Sequence, residues 1–330
     1  MDKITLDNEK YMGRALQLAR NGRLDASTNP MVGAVIVGPD GKIIGEGWHR
    51  KCGEGHAEVN AVASVADKSL LSDSTMFVTL EPCAHYGKTP PCAKLIIESG
   101  IPRVVVGVAD PFARVSGRGI AMLREAGVEV TVGCLEEECR ALNVKFLTAH
   151  SLRRPYVTLK WAESADGYMD GKISTPLTSM LVHRERALHD AILVGSGTWL
   201  ADAPGLDTRL YGGRSPLRVI VDRRGRVRLP DDTENTLVIS DCDNVQEVLS
   251  ELYRRGVTSV LVEGGSEMLG SFIDSGLWDA ARIERGTDNI SGKVKAPRLG
   301  ENAFMTERQI IDGNIISRYE SEIQHQARQA

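Results

Sequence analysis

Three short pieces of this sequence carry groups able to do chemistry together: His56-Ala57-Glu58, Pro82-Cys83 and Cys92. One imidazole and two thiolates suit zinc, and three protein ligands leave the fourth corner of a tetrahedron open to water. Zinc lowers the pKa of such a water toward about 7, so hydroxide becomes available at neutral pH. Glu58 follows His56 by two residues. A helix opening at His56 directs the imidazole to the metal and the carboxylate beside the water, where it takes a proton and returns it to a leaving amine. Cys83 and Cys92 enter as thiolates, favoured by the metal and by a helix N-terminus nearby. The competing reading is a structural zinc site, which needs four protein ligands and has no use for Glu58.

The stretch between the thiols, Ala84 to Pro91, is long enough to project as a loop carrying His85, Lys88 and Thr89. A cation and a hydroxyl beside a metal fit a phosphorylated substrate. A solvated loop with no ligand role is the alternative. Cys52, Cys134, Cys139 and Cys242 are scattered. Cys134 and Cys139 flank a helix start and read as packing thiols. Cys52 as a fourth ligand closes the catalytic position. Six cysteines in 330 residues are too few for a disulfide scaffold.

These residues must be held by a regular frame. Met12, Ala15, Leu16 and Ala19 form a helical stripe after Asp7, which reads as an N-cap. Val32 to Gly38 and Lys42 to Trp48 read as a strand pair joined at Pro39-Asp40-Gly41. Helices are expected over 56–66, 93–99, 120–126 and 136–149, with strands over 75–80, 103–108 and 128–132. That order predicts a sheet sandwiched by helices. The pattern breaks between Ser151 and Pro155, which places a domain boundary there: 1–150 and 151–330. The second part reads as another α/β set. Strands are expected over 156–161, 191–195, 217–222, 236–240 and 259–263, and helices over 181–190, 245–255 and 268–275. Glu263-Gly264-Gly265 ends a strand and opens a helix, where glycine permits close approach and helix N–H groups attract phosphate. Residues 286–300 read as loops around short strands.

The chain has 40 basic and 44 acidic residues, a formal net charge of -4, and 42% hydrophobic residues. This is ordinary globular composition, without the basic bias of a general nucleic-acid binder. No apolar run reaches the roughly 18 residues that span a bilayer. The first residues carry no apolar core or cleavage site of a signal peptide, which points to the cytoplasm.

His56-Ala57-Glu58 with Pro82-Cys83 resembles the zinc deaminase signature, in which two residues usually separate the thiols. Here eight do. The run from Leu80 to Cys92, with Asn29-Pro30-Met31-Val32-Gly33 and Ala109-Asp110-Pro111, resembles the deaminase half of the bifunctional riboflavin-biosynthesis deaminase–reductase family. The second half is similar to the reductase half of the same family. Leu159-Lys160, Ser164-Ala165-Asp166-Gly167, the stretch from Asp190 to Thr198, Ala201-Asp202-Ala203-Pro204 and Glu263-Gly264-Gly265 carry that likeness.

The resemblance implies a cytidine-deaminase-like three-layer α/β/α domain over 1–150 and a dihydrofolate-reductase-like α/β domain over 151–330. It implies one zinc ion per deaminase domain, held by His56, Cys83 and Cys92, with Glu58 as the proton shuttle. Asn29 and His49 are implied as base contacts, and His85, Lys88 and Thr89 as the ribose-phosphate contacts. For the reductase it implies NADPH, with cofactor contacts at Ala162, Thr198, Asp202 and Gly265. Its substrate contacts are Arg186, Leu206, Arg209 and Glu263, and Lys160 and Asp202 are assigned to catalytic support. The implied reaction is hydrolytic deamination of 2,5-diamino-6-ribosylamino-4(3H)-pyrimidinone 5′-phosphate, then reduction of the ribosyl chain to give 5-amino-6-ribitylaminouracil 5′-phosphate. The family is usually oligomeric, implying a dimer or tetramer, with no nucleic acid or membrane partner.

The chain departs from the family after the Asp-Gly turn. The usual Ser-x-Trp-Ile segment is absent, and Tyr168 to Ser174 stands in its place, several residues shorter. The last strand region carries Lys295-Ala296-Pro297-Arg298-Leu299-Gly300. Two rival readings follow: an active deaminase with a decayed reductase half, separated by NADPH binding, and a nucleic-acid deaminase. The latter predicts a basic, aromatic-lined second half, whereas aromatics are 5% of this acidic chain.

Overall fold

The structure, a computed structural model, describes residues 3–24, 29–85, 90–110, 117–230 and 233–329. It separates into two compact units, Met1–Leu152 and Arg153–Ala330.

The first unit runs α1 (Lys3–Ala19), β1 (Gly33–Val37), β2 (Ile43–Trp48), α2 (Ala57–Ser64), β3 (Thr75–Leu80), α3 (Cys92–Glu98), β4 (Arg103–Val108), α4 (Arg118–Glu125), β5 (Glu129–Val132), α5 (Glu136–Leu142) and α6 (Val144–Leu152). The sheet order is β2-β1-β3-β4-β5. The expected hairpin of β1 and β2 is antiparallel, and β3, β4 and β5 run parallel to one another. Strand periodicity sends alternate residues to opposite faces. Ala34, Ile36, Val104 and Val106 pack with Ala57, Ala61, Ile96 and Leu123 on one side. Val35, Val37, Phe77 and Val105 pack with Met12, Ala15, Leu16 and Cys139 on the other. Both faces are covered, which makes the three-layer α/β/α sandwich.

Two glycines bring helices onto this sheet. A Cβ at Gly47 would lie 2.4 Å from the Ala57 carbonyl oxygen and 2.3 Å from the Ala61 nitrogen, so α2 rests directly on β2. A Cβ at Gly33 would lie 2.0 Å from the Ala15 carbonyl oxygen, so α1 does the same on β1.

The second unit runs β6 (Tyr156–Glu163), α7 (Pro176–Ala187), β7 (Ala191–Gly195), α8 (Ser196–Asp202), β8 (Leu217–Val221), β9 (Thr236–Ile239), α9 (Val245–Arg254), β10 (Ser259–Val262), α10 (Ser266–Asp274), β11 (Ala280–Arg285), β12 (Ala303–Ile311), β13 (Asn314–Ser321) and α11 (Glu322–Gln329). Its sheet order is β12-β13-β11-β6-β10-β7-β8-β9. Strands β11 through β9 in that order run parallel, and β13 and β12 add antiparallel at one edge. Trp161 and Trp278 are core residues here. Asp279 accepts both Nη groups of buried Arg154 at 2.6 and 2.9 Å, and the Val157 amide at 2.8 Å, fixing where β6 begins.

Several elements differ from the sequence reading. Helix α1 starts at Lys3, so Asp7 lies inside it and is no N-cap. Helix α7 starts five residues before the expected Leu181, because Thr175 and Thr178 form a capping box with Pro176 at the first helical position. The single helix expected over 136–149 is two helices, broken at Asn143. Helix α8 and strands β11 to β13 were not foreseen. In β11 the inward residues include Arg282 and Glu284, and β12 is exposed on both faces, so neither shows apolar alternation.

Candidate active sites

The candidate metal ligands meet beyond the carboxyl ends of β2 and β3. His56 is the N-cap of α2, Cys92 opens α3, and Cys83 lies just beyond β3. His56 Nδ1 is 3.6 Å from Cys83 Sγ and 3.3 Å from Cys92 Sγ. A tetrahedral zinc with the usual Zn–N and Zn–S bonds needs these separations near about 3.5 Å. The residues therefore fit zinc, and they form the one group of three such ligands among the described residues. Cys52 is exposed and outside it. The Cys92 amide donates to Cys83 Sγ at 3.3 Å, and the Ala93 amide donates to the Cys83 carbonyl at 3.1 Å, closing the turn.

Glu58, in the first turn of α2, is 3% exposed. Burial raises its pKa to about 7. Cys92 hydrogen-bonds Cys83 and pulls its thiol well down, with His56 acting in the same sense, while the Cys92 thiol is pushed up by the same pairing and by burial. The Cys83 hydrogen bond raises His56.

The implied base contacts adjoin this triangle. Asn29 Nδ2 and His49 Nε2 are 3.1 Å apart, and the His49 and His56 rings meet edge-on at 5.5 Å. The Asn29 loop is held by a residue the sequence reading missed. Asn143 donates to the Met31 carbonyl and accepts from the Met31 amide, both at 2.8 Å. His85 is exposed at the end of a described stretch. Lys88 and Thr89 lie outside the described residues.

Glu81 was also missed. It is 4% exposed, and its carboxylate accepts four backbone N–H groups: Asp110 at 3.1 Å, Gly117 at 3.0 Å, Gly119 at 2.9 Å and Ile120 at 3.3 Å. A Cβ at Gly119 would lie 1.9 Å from the Pro82 carbonyl oxygen, so α4 is pressed against the turn that carries Cys83. Glu81→Ala leaves these N–H groups buried without an acceptor. We expect about 3 kcal/mol lost from the stability of the first unit. Zinc should bind roughly 10- to 100-fold more weakly. Denaturant unfolding and competition with a zinc-binding dye measure the two effects.

In the second unit the candidate residues gather at the carboxyl ends of parallel β6, β10 and β7, where open α/β sheets bind ligands. Arg186 Nε and Nη2 grip Glu263 at 2.9 and 2.8 Å, and Lys160 Nζ lies 3.9 Å from the same carboxylate. Burial works to raise Glu263, but Lys160 and Arg186 hold it below its ordinary value. Burial lowers Lys160, with Arg282 and Arg186 adding to it. Ala162 lies on β6 beside Lys160. The Gly265 amide donates to Thr198 Oγ1 at 3.1 Å, joining the start of α10 to α8. Gly265 caps α10 without a side chain, which leaves its first N–H groups open to a phosphate, and this fits the cofactor. Asp202 ends α8 one turn beyond Thr198. Arg209 is exposed and paired with Asp207 at 2.8 Å, and Arg186 reaches the Asp207 carbonyl at 3.2 Å. The Leu206 side chain is packed among Ile192, Val194 and Ile220, so only its backbone is available to a substrate.

A cavity of about 270 Å3 opens beyond the end of β8, between helices α9 and α10. Val221, Val248 and Phe272 line it, with Arg223 and Asn244. The run Asp222-Arg223-Arg224-Gly225-Arg226 makes a basic loop at this strand end, which the sequence reading did not single out.

Fold and sites together define a metal-dependent deaminase joined to a reductase. Residues 6–108 match the family model for the cytidine and deoxycytidylate deaminase zinc-binding region, and residues 155–285 match that of the RibD C-terminal domain. The riboflavin biosynthesis protein RibD of Bacillus amyloliquefaciens is 38% identical, covering 92% of this chain and 90% of its own. The Escherichia coli (strain K12) protein of the same name is 36% identical, covering 83% and 86%. Acinetobacter baumannii RibD superposes with a TM-score of 0.87 at 30% identity, covering 97% of this chain and 100% of its own. The diaminohydroxyphosphoribosylaminopyrimidine deaminase/5-amino-6-(5-phosphoribosylamino)uracil reductase of Thermotoga maritima gives 0.86 at 35% identity, covering 96% and 99%.

The chain belongs to the RibD family of riboflavin-biosynthesis proteins. It is a bifunctional enzyme with a zinc-binding deaminase domain and an NADPH-using reductase domain, and it acts on a small molecule. No described helix is long and apolar enough to cross a membrane.

Proposed function

We propose that residues 1–150 deaminate 2,5-diamino-6-ribosylamino-4(3H)-pyrimidinone 5′-phosphate and residues 151–330 reduce the product's ribosyl chain to ribityl. The observation that carries the first half is the His56, Cys83 and Cys92 triangle with buried Glu58 beside it. His56 Nδ1, Cys83 Sγ and Cys92 Sγ would hold zinc, which would supply a Lewis acid to the reaction. The Glu58 carboxylate takes a proton from water as the oxygen adds to the amino-bearing ring carbon. It then delivers that proton to the departing nitrogen, so the C–N bond breaks and ammonia leaves. Asn29 and His49 orient the base. His85, Lys88 and Thr89 are assigned to the ribose phosphate.

In the second half bound NADPH would supply the hydride that reduces the ribosyl chain. The chain supplies position and charge. Ala162, Thr198, Asp202 and Gly265 hold the cofactor, and the apolar cavity with Arg223 at its edge suits the adenosine end. Arg186, Arg209, Glu263 and the Leu206 backbone hold the substrate. Lys160 and Asp202 serve the proton balance of the reduction. The cluster of Lys160, Arg186 and Glu263 supports a working reductase. Met305 and Ile310, 55% and 76% exposed on edge strand β12, support a homo-oligomer, a dimer or tetramer. A cytoplasmic address belongs to the same reading.

The test uses zinc-loaded protein and the diaminopyrimidinone ribosyl phosphate, followed by product mass with and without NADPH. Deamination alone without cofactor, then a further gain of two hydrogens with it, is the expected result. Deamination without reduction identifies a decayed reductase half.

A further inference from the structure

The reductase pocket carries a cation that none of the roles above uses. A cavity of about 350 Å3 lies at the carboxyl end of β6, a volume within the range of small-ligand sites. Lys160, Glu263 and Gly264 form one wall, and Lys172, Ser174 and Ser179 another. Lys172 is exposed and makes no ion pair among the described residues.

The segment that presents it is anchored on both sides. Before it, the Asp170 carboxylate accepts the Lys293 amide at 2.7 Å and the Val294 amide at 3.0 Å. After it, the Ile173 carbonyl accepts from Asn314 at 3.1 Å, and Ser174 Oγ donates to Glu284 at 3.0 Å. This is the stretch that departs from the family pattern, so its chemistry belongs to this chain.

The charges around the cavity do not balance. Lys160 and Arg186 share the single carboxylate of Glu263. Arg282, in register with Lys160 across the sheet, has Glu284 at 3.5 Å, and Arg318 has Glu185 and Glu307. Asp170 accepts two backbone N–H groups and makes no ion pair with Lys172, and among the charged residues lining the cavity Lys160 and Lys172 are basic and Glu263 alone is acidic. Lys172 therefore adds a second positive charge to a site that already has one in surplus. Lys172 is exposed at the cavity wall, so an anion entering from solvent meets its charge directly.

We propose that Lys172, with the Ser179 hydroxyl on the same wall, is a phosphoryl-binding subsite of the reductase pocket. The inference rests on the reductase reading above and adds a residue to it. Two phosphorylated molecules enter this site, the ribosyl substrate and NADPH, and a lysine ammonium binds either phosphate as a point charge.

The experiment compares the full-length protein with Lys172→Ala and Lys172→Arg. Reduction is followed with 5-amino-6-ribosylaminouracil 5′-phosphate, with its dephosphorylated nucleoside, and across an NADPH titration. A subsite for the substrate phosphate raises KM for the phosphorylated compound about tenfold in Lys172→Ala, with kcat little changed. The nucleoside and NADPH are then unaffected, and Lys172→Arg restores binding. A rise in KM for NADPH instead assigns the subsite to a cofactor phosphate. Unchanged KM for both overturns the proposal. Calorimetric titration with inorganic phosphate is run alongside. Should the wild type reduce nothing, the reductase reading falls, and equal phosphate binding by wild type and Lys172→Ala overturns this subsite separately. Deamination, which resides in the other unit, reports that the variants are folded.

Discussion

Glu58→Gln is expected to keep zinc at one ion per chain and to lower deamination by about 10²- to 10⁴-fold, the range that positioned proton transfer contributes. The substitution changes one oxygen to nitrogen inside a site where Glu58 is 3% exposed, so the fold has no reason to move. Gln presents the same carbonyl oxygen to the substrate but has no basic oxygen to accept a proton. Metal analysis and a mass assay of the deaminated product measure the two halves of the claim. Reduction of separately supplied, deaminated substrate should be unchanged, because that chemistry lies in residues 153–330. Near-full deamination by this variant would remove Glu58 from the proton path. Zinc loss in the variant would mean that the carboxylate holds the metal.

Glu263→Ala is expected to damage the other unit as severely. Glu263 is the one carboxylate between Arg186 and Lys160, whose side chains are 13% and 12% exposed. Removing it leaves two half-buried cations facing each other. Breaking a buried pair in this way costs about 3–5 kcal/mol, mostly from the charge left behind. Thermal unfolding should show an early transition for the second unit, and NADPH oxidation should fall with it. Deamination should persist. Glu263→Gln separates stability from function. It keeps the hydrogen bond to Arg186 but not the charge, so a stable yet inactive Gln variant assigns the carboxylate to the reaction.

The metal site was legible in the sequence because its chemistry demands particular residue types. His56, Cys83 and Cys92 can be read as ligands before any fold is known, and each stands where a strand or helix begins or ends. The parallel strands were legible for a similar reason. Val104, Val105 and Val106, like Val260, Leu261 and Val262, are buried on alternate faces of covered sheets and form plain apolar runs. Glu81, Asn143 and Glu284 were not legible. Each is a polar side chain whose meaning lies in a partner far along the chain. Glu81 reaches residues 110 to 120, Asn143 reaches Met31, and Glu284 reaches Ser174. Spacing along a sequence carries no trace of such pairs. Strand β11 was missed for a related reason: Arg282 and Glu284 place charge on the inside, where a pattern search looks for hydrocarbon, while β12 is exposed on both faces and shows no apolar alternation.

The clamp of Asn143 on Met31 spans 112 residues, and it sets an order on how the deaminase is built. The zinc ligands are complete once residue 92 has been synthesised. The wall proposed to recognise the base is not, because the loop carrying Asn29 waits for Asn143 at the far end of the unit. Chains emerge from the ribosome at about 5–20 residues per second, so for several seconds a nascent chain owns all its zinc ligands and has no fixed specificity wall. Metal capture can precede substrate recognition, and a chain stopped short of Asn143 keeps the ligands without the means to choose what they act upon.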